Sequence, residues 1–174
     1  TSQIHQIMEQ LHDDPAYPRL KPDIDSSEAV LNLWGRRCSL FARTAASDRN
    51  MDDPRTRFAL GGKSSARECI DEMKRMLETM EGSDSLPNPN DVLYSILLTA
   101  LSNSKDSGTA DEANAILQRI EHDPNMQNGI VIMYNIVILA YSNESVTDAR
   151  GAAAMAVALW ERMKARGGPK VSSH

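Results

Sequence analysis

Few side chains in this sequence stand at spacings that chemistry requires. Gly62-Lys63-Ser64 imitates the end of a phosphate-binding loop. That loop needs a second glycine five residues earlier, so that backbone amides can wrap the phosphates, and Arg57 stands there instead. No strand pattern precedes it, so a glycine-bearing loop-to-helix junction is the better explanation. His5, His12, His122 and His174 have no metal-ligand spacing to one another or to a cysteine. Asp13-Asp14 and Asp52-Asp53 are adjacent carboxylates in polar stretches, where solvation is the default role and acid–base work would need a cleft. Cys38 and Cys69 are the only cysteines and do not form a Cys-x-x-Cys pair, so both are expected as reduced thiols in helices. The expectation is a chain that is not an enzyme, with no catalytic residues, no metal, no cofactor and no small-molecule substrate.

Binding is the remaining class, and it depends on the elements that present a surface. The chain has 174 residues, with 19 Lys plus Arg against 24 Asp plus Glu, a formal charge of −5. Aromatics are 5% of residues, too few for a sheet-built core, which points to an all-α domain. The longest apolar stretch, Ile130 to Ala140, contains Asn135 and is too short to span a bilayer, so no membrane is expected as a partner. Thr1 begins part-way through a helical pattern over 2–12, so the chain reads as a piece of a longer array.

Internal repetition organises the whole sequence. Four pentads share the pattern apolar-apolar-(Glu/Gln)-polar-apolar: Ile7 to Leu11, Met76 to Met80, Ile116 to Ile120 and Leu159 to Met163. Their last residues lie 69, 40 and 43 positions apart. Between them, the segment around Tyr94 (91–100) matches the segment around Tyr134 (131–140) at a spacing of 40 residues, and 24–33 is a weaker copy with Ser27 at the tyrosine position. Each unit reads as a helical hairpin. The first, mostly apolar helix (A) covers 25–37, 91–103 and 131–142; the second, amphipathic helix (B) covers 65–81, 110–122 and 148–166. Ser65-x-x-Glu68 and Thr109-x-x-Glu112 read as capping boxes at B-helix starts. Pro22 and Pro89 each stand two residues before an A helix, and Gly82, Gly108 and Gly167 mark helix ends.

A single hairpin cannot bury its apolar face alone, so the units should stack into a right-handed α-solenoid of about seven helices. The expected division of the single domain 1–174 is a partial unit (1–23), a unit at 24–90 with an inserted loop at 38–62, and units at 91–130 and 131–170. The inserted loop is polar and interrupted by Pro54, following a helical stub through Ala45.

These hairpins resemble pentatricopeptide repeat proteins. The matching residues are Lys21-Pro22-Asp23 before the first A helix, Pro89-Asn90-Asp91-Val92-Leu93-Tyr94-Ser95 entering the second, and Tyr134-Asn135 in the third. The run from Ala158 through Leu159 and Met163 to Gly167 reproduces the family's unit ending almost whole. The period departs from the family, at 40 residues where about 35 is usual; tetratricopeptide repeats, at about 34, lack the Pro-Asp junction.

The resemblance implies single-stranded RNA as the partner, one base per repeat, in organellar (mitochondrial or plastid) RNA processing, stability or translation. Carried over position by position, it implies that Ser95 and Asn135, each following a tyrosine, read bases. Val92 and Ile132, two before each tyrosine, would pack on the bases. Asn90 would end the first unit's reading set, with Glu28 after Ser27 and Asp25 at the packing position. Ile130 falls at the second unit's last reading position and cannot hydrogen-bond a base edge, while Asp25 and Glu28 would repel phosphate; no base sequence is therefore expected.

Charge adds a second expectation. The A helices at 91–103 and 131–142 contain no Lys or Arg, although an RNA groove ordinarily supplies cations to phosphate. The basic stretch is 36–67, with eight cations against three aspartates, so Arg49, Arg55 and Arg57 are candidate backbone contacts. A solvated loop is the preferred explanation of that stretch, ahead of RNA contact. The alternative partner is a protein, docked on the array as on a tetratricopeptide-like scaffold. Tyr94 and Tyr134 are expected to pack between helices rather than stack on bases.

Overall fold

A computed structural model of the chain describes residues 22–45, 66–104, 106–144 and 149–167. The expected helix at 2–12, the 46–65 part of the inserted loop with Arg49, Arg55 and Arg57, and the Ser65 cap lie outside the described residues. Within them are six α-helices: α1 (Ile24–Ala45), α2 (Ala66–Glu81), α3 (Asp91–Ser104), α4 (Thr109–Ile120), α5 (Ile130–Glu144) and α6 (Ala149–Gly167). One 3-10 turn, Pro124–Met126, precedes α5, and no strand occurs among the described residues. Every expected A and B helix outside 1–21 is therefore present. The first runs on to Ala45, with Cys38 still in its buried stripe.

The proline junctions have a plain physical role. Pro22 stands before Asp23, whose carboxylate accepts from Ser26 N–H at 2.8 Å while the Ser26 hydroxyl accepts from Asp23 N–H at 3.0 Å. This reciprocal cap holds the Asp23 carboxyl below its ordinary range, chiefly through the Ser26 side-chain bond. Pro89 precedes Asn90, whose side-chain oxygen accepts from Leu93 N–H at 3.0 Å and so caps α3. At α5 the cap position is Gly129, and a Cβ there would come within 2.7 Å of the Asp91 carboxylate on α3. The close approach of α3 leaves no room for a side chain at that position.

The expected Thr109/Glu112 capping box is not made. Gly108 holds the N-cap of α4 at φ 83°, a left-handed conformation that suits glycine, and the Thr109 hydroxyl donates back to Asp106 O at 2.8 Å. The α4 amides are met from another helix: Gly108 N–H and Ala110 N–H (2.9 Å) both donate to the Glu144 carboxylate of α5. Glu112 turns instead to α2, pairing with Arg67 at 2.6 Å and with Lys74.

The helices pack in two layers. α1 lies on α3 and α3 on α5, so the three A helices form one layer. α2 packs on α1 and α3, α4 on α3 and α5, and α6 on α5, which places the B helices behind. The core between them is built from leucines of α3 (Leu93, Leu97, Leu98, Leu101), methionines of α2 (Met73, Met80) and small residues of α4. Cys38 and Cys69 are free and fully buried where α1 meets α2. Cys38 Sγ donates to Ala66 O at 3.5 Å; the neighbouring Cys69 thiol and burial push Cys38 up, while the Cys38 thiol draws Cys69 down.

Candidate functional site: a groove across the A helices

α1, α3 and α5 together line an open groove of about 710 Å³. Val92, Ser95 and Ile96 of α3 face it, as do Ile132 and Ile136 of α5, and α1 closes it with Asn32 and Arg36. Val92/Ile132 and Ile96/Ile136 are pairs 40 residues apart, so equivalent positions of successive units lie side by side. Gly35 allows the close approach of α1, since a Cβ there would stand 3.4 Å from the Ile96 side chain.

Val92 is 40% exposed and Ile132 58% exposed, although both are large apolar residues at the start of well-packed helices. Three residues after each stands a polar side chain that makes no hydrogen bond within the described residues: half-buried Ser95, which lines the groove, and exposed Asn135, which does not. An aliphatic shelf followed by an unengaged donor and acceptor suits a planar ligand that buries its faces and hydrogen-bonds at its edge. The other hydroxyls nearby are occupied: Thr99 donates to Ser95 O at 2.7 Å, and Ser39 to Gly35 O at 3.0 Å.

The remaining expected positions scatter. Asn90 spends its side-chain oxygen on the α3 cap. Glu28 is half-buried on α1, one turn before Asn32, and Asp25 is exposed. Ile130 is buried and does not line the groove. Arg36 is the one charged residue lining the groove among the described residues, and it belongs to the basic stretch 36–67. No three His, Cys, Asp or Glu side chains among the described residues gather as a metal site.

Sequence reasoning missed a feature that repeats behind the groove. Tyr94 and Tyr134 are buried packing residues, and each lies in a clasp joining one unit to the next. The Tyr94 hydroxyl donates to Glu81, at the end of α2, and accepts from Arg119 of α4 at 3.0 Å; Arg119 also pairs with Glu81 at 2.9 Å. One unit on, the Tyr134 hydroxyl donates to Glu121 at 2.5 Å and accepts from Arg162 Nε of α6 at 3.0 Å, and Arg162 stands 3.3 Å from Glu121. Each guanidinium also lies over its tyrosine ring, at 5.6 Å and 5.3 Å from the centroid. Burial, with the bond to the glutamate, pushes both phenols above their ordinary value of 10.0. Glu81 and Glu121 each directly follow a repeated pentad, a signal visible in the sequence once the pentads are aligned.

Each clasp ties an A helix to the B helices before and after it. No helix among the described residues is long and apolar enough to cross a membrane. The chain matches no protein-family model, no curated protein and no solved structure.

Proposed function

We propose that the chain is a right-handed solenoid of pentatricopeptide type that holds single-stranded RNA in the groove across α1, α3 and α5, without catalysis of its own. The observation that supports this reading most is the shared placement of Val92 and Ile132. These two apolar shelves recur at one period and line one groove, with unengaged Ser95 in the groove beside the first and unengaged, exposed Asn135 on α5 outside the lining beside the second. A flexible strand of bases needs a surface of that kind, repeated once per base. Arg36, and beyond it Arg49, Arg55 and Arg57, would meet phosphate. A role in mitochondrial or plastid RNA processing, stability or translation follows from the family resemblance alone.

Docking of an apolar protein segment in the same groove is the second reading. It is favoured by the absence of any Lys or Arg from α3 and α5. Affinity for a pool of short single-stranded RNAs, measured at two salt concentrations, separates the two. The RNA reading expects binding that weakens steeply with salt. A Ser95→Ala, Asn135→Ala double variant should then lose about tenfold in affinity, the equivalent of about 1.4 kcal/mol. Binding that survives this variant but disappears when Arg49, Arg55 and Arg57 are neutralised places RNA on the basic stretch. No binding at low salt sinks the RNA reading and leaves the protein segment.

A further inference from the structure

The last two B helices carry one stripe at equivalent places along the array. On α4 it is Ala110, Asn114, Leu117 and Glu121; on α6, aligned by the pentads, it is Ala153, Val157, Trp160 and Lys164. The α4 stripe is buried, because α5 and α6 cover it: Arg162 reaches both Asn114 and Glu121, and Leu117 is 0% exposed. The α6 stripe is open. Val157 is 60% exposed where Asn114 is 7%, and Trp160 is 48% exposed.

The A helices tell the same story. α3 turns Asp91 and Ser102 toward α5, since Asp91 packs against Gly129 and Asn143 Nδ2 donates to Ser102 O at 2.9 Å. Leu98, on the same side, is fully buried. Forty residues on, Val131 is 54% exposed and Ile138 only partly covered. The open faces of α5 and α6 are thus continuous, and they repeat the faces that α3 and α4 bury against the next unit.

The last junction departs from the two before it. After the last three pentads the position is Glu81, then Glu121, then Lys164; after the first it is His12, which lies outside the described residues. At the first two junctions the acid receives the tyrosine hydroxyl and arginine of the following unit. At the third a lysine stands there, with Glu161 of its own helix at 3.2 Å and the Trp160 ring centroid at 4.0 Å. An arginine arriving in the usual place would meet a like charge.

We infer that the open faces of α5 and α6 are a docking surface for one further helical hairpin, whose second helix brings a carboxylate to Lys164 where Arg119 and Arg162 stand at the earlier junctions. Continuity with the two junctions already made identifies the occupant as a hairpin, and the reversed charge identifies its polar group. The inference depends on stacking alone and is independent of what the groove binds.

The test joins a second copy of residues 121–167 to the end of the full chain, with Trp160→Phe in the copy and Trp34→Phe in the original chain so that the original Trp160 is the reporter. With Arg162→Glu in the copy, the original Trp160 should become protected from acrylamide and its emission should shift to the blue. With the copy's Arg162 retained, docking should be roughly tenfold weaker, and Lys164→Glu in the original chain should reverse that preference. Lys164 is exposed, so this second variant leaves the fold of the chain intact. Trp160 remaining as accessible as in the chain alone, in both charge pairings, overturns the docking surface. Docking that ignores the charge swap overturns the requirement for a carboxylate.

Discussion

Glu121→Ala should lower stability by about 2–3 kcal/mol, whereas Glu81→Ala should cost about 1 kcal/mol or less. The two glutamates hold equivalent places, so the difference lies in burial. The Glu121 side chain is 10% exposed and faces Arg162 at 32%, while Glu81 is 35% exposed and faces Arg119 at 53%. Removing the buried acid strands the Tyr134 hydroxyl and the Arg162 guanidinium together, and neither can turn fully to water. At Glu81 solvent replaces much of what is lost. In thermal unfolding the first variant should fall by about 5–10 °C and the second by a few degrees. Glu121→Gln, which keeps an acceptor for Tyr134 but drops the charge, should fall between them. Equal losses at the two sites would show that the clasps are surface ion pairs rather than junctions between units.

Carrying charge onto the shelf should separate binding from folding. Val92 and Ile132 are exposed, so a Val92→Glu, Ile132→Glu double variant should keep its stability to within about 1 kcal/mol. Its affinity for single-stranded RNA should fall roughly a hundredfold, because each change removes an apolar contact to a base and sets a carboxylate among phosphates. Gln118→Glu on exposed α4 adds the same kind of charge away from the groove and should leave binding nearly unchanged. Weakening of comparable size in the control would mean that net charge, and not the groove, governs affinity; calorimetry of the variants alongside the titrations checks both halves.

Much of this architecture is legible in the residues. The 40-residue spacing of Tyr94 and Tyr134 locates α3 and α5, and Pro22-Asp23 and Pro89-Asn90 mark helix starts because the residue after each proline caps the helix. What escaped involves partners distant in the chain. The Thr109-x-x-Glu112 pattern satisfies the local rule for a capping box, yet it is Glu144, more than thirty residues away, that meets the start of α4, through the Gly108 and Ala110 amides. The clasps are equally nonlocal: Tyr134 finds its acid 13 residues upstream across a linker and its arginine 28 residues downstream.

The candidate site divides along the same line. Val92 and Ile132 fall in the groove because residues two before the tyrosine lie on a side of the helix away from the core-facing phenol; of the two residues one after it, Ser95 lines the groove and Asn135 is exposed outside its lining. Ile130 and Asn90 do not line it, because both sit where the chain enters a helix: one is drawn into the core, and the other is spent on a cap. α5 is apolar almost all round, so periodicity could not say which of its faces meets α3, which meets the B layer and which stays open.

The most direct test of the groove as an RNA site is a methyl and side-chain amide NMR titration of the chain with single-stranded RNA of about ten nucleotides. The account predicts that the Val92, Ile96, Ile132 and Ile136 methyls and the Asn135 amide shift together, while Ile70, Ile116 and Ile120 in the B layer stay in place. Shifts confined to the B layer, or none at saturating RNA, would contradict it.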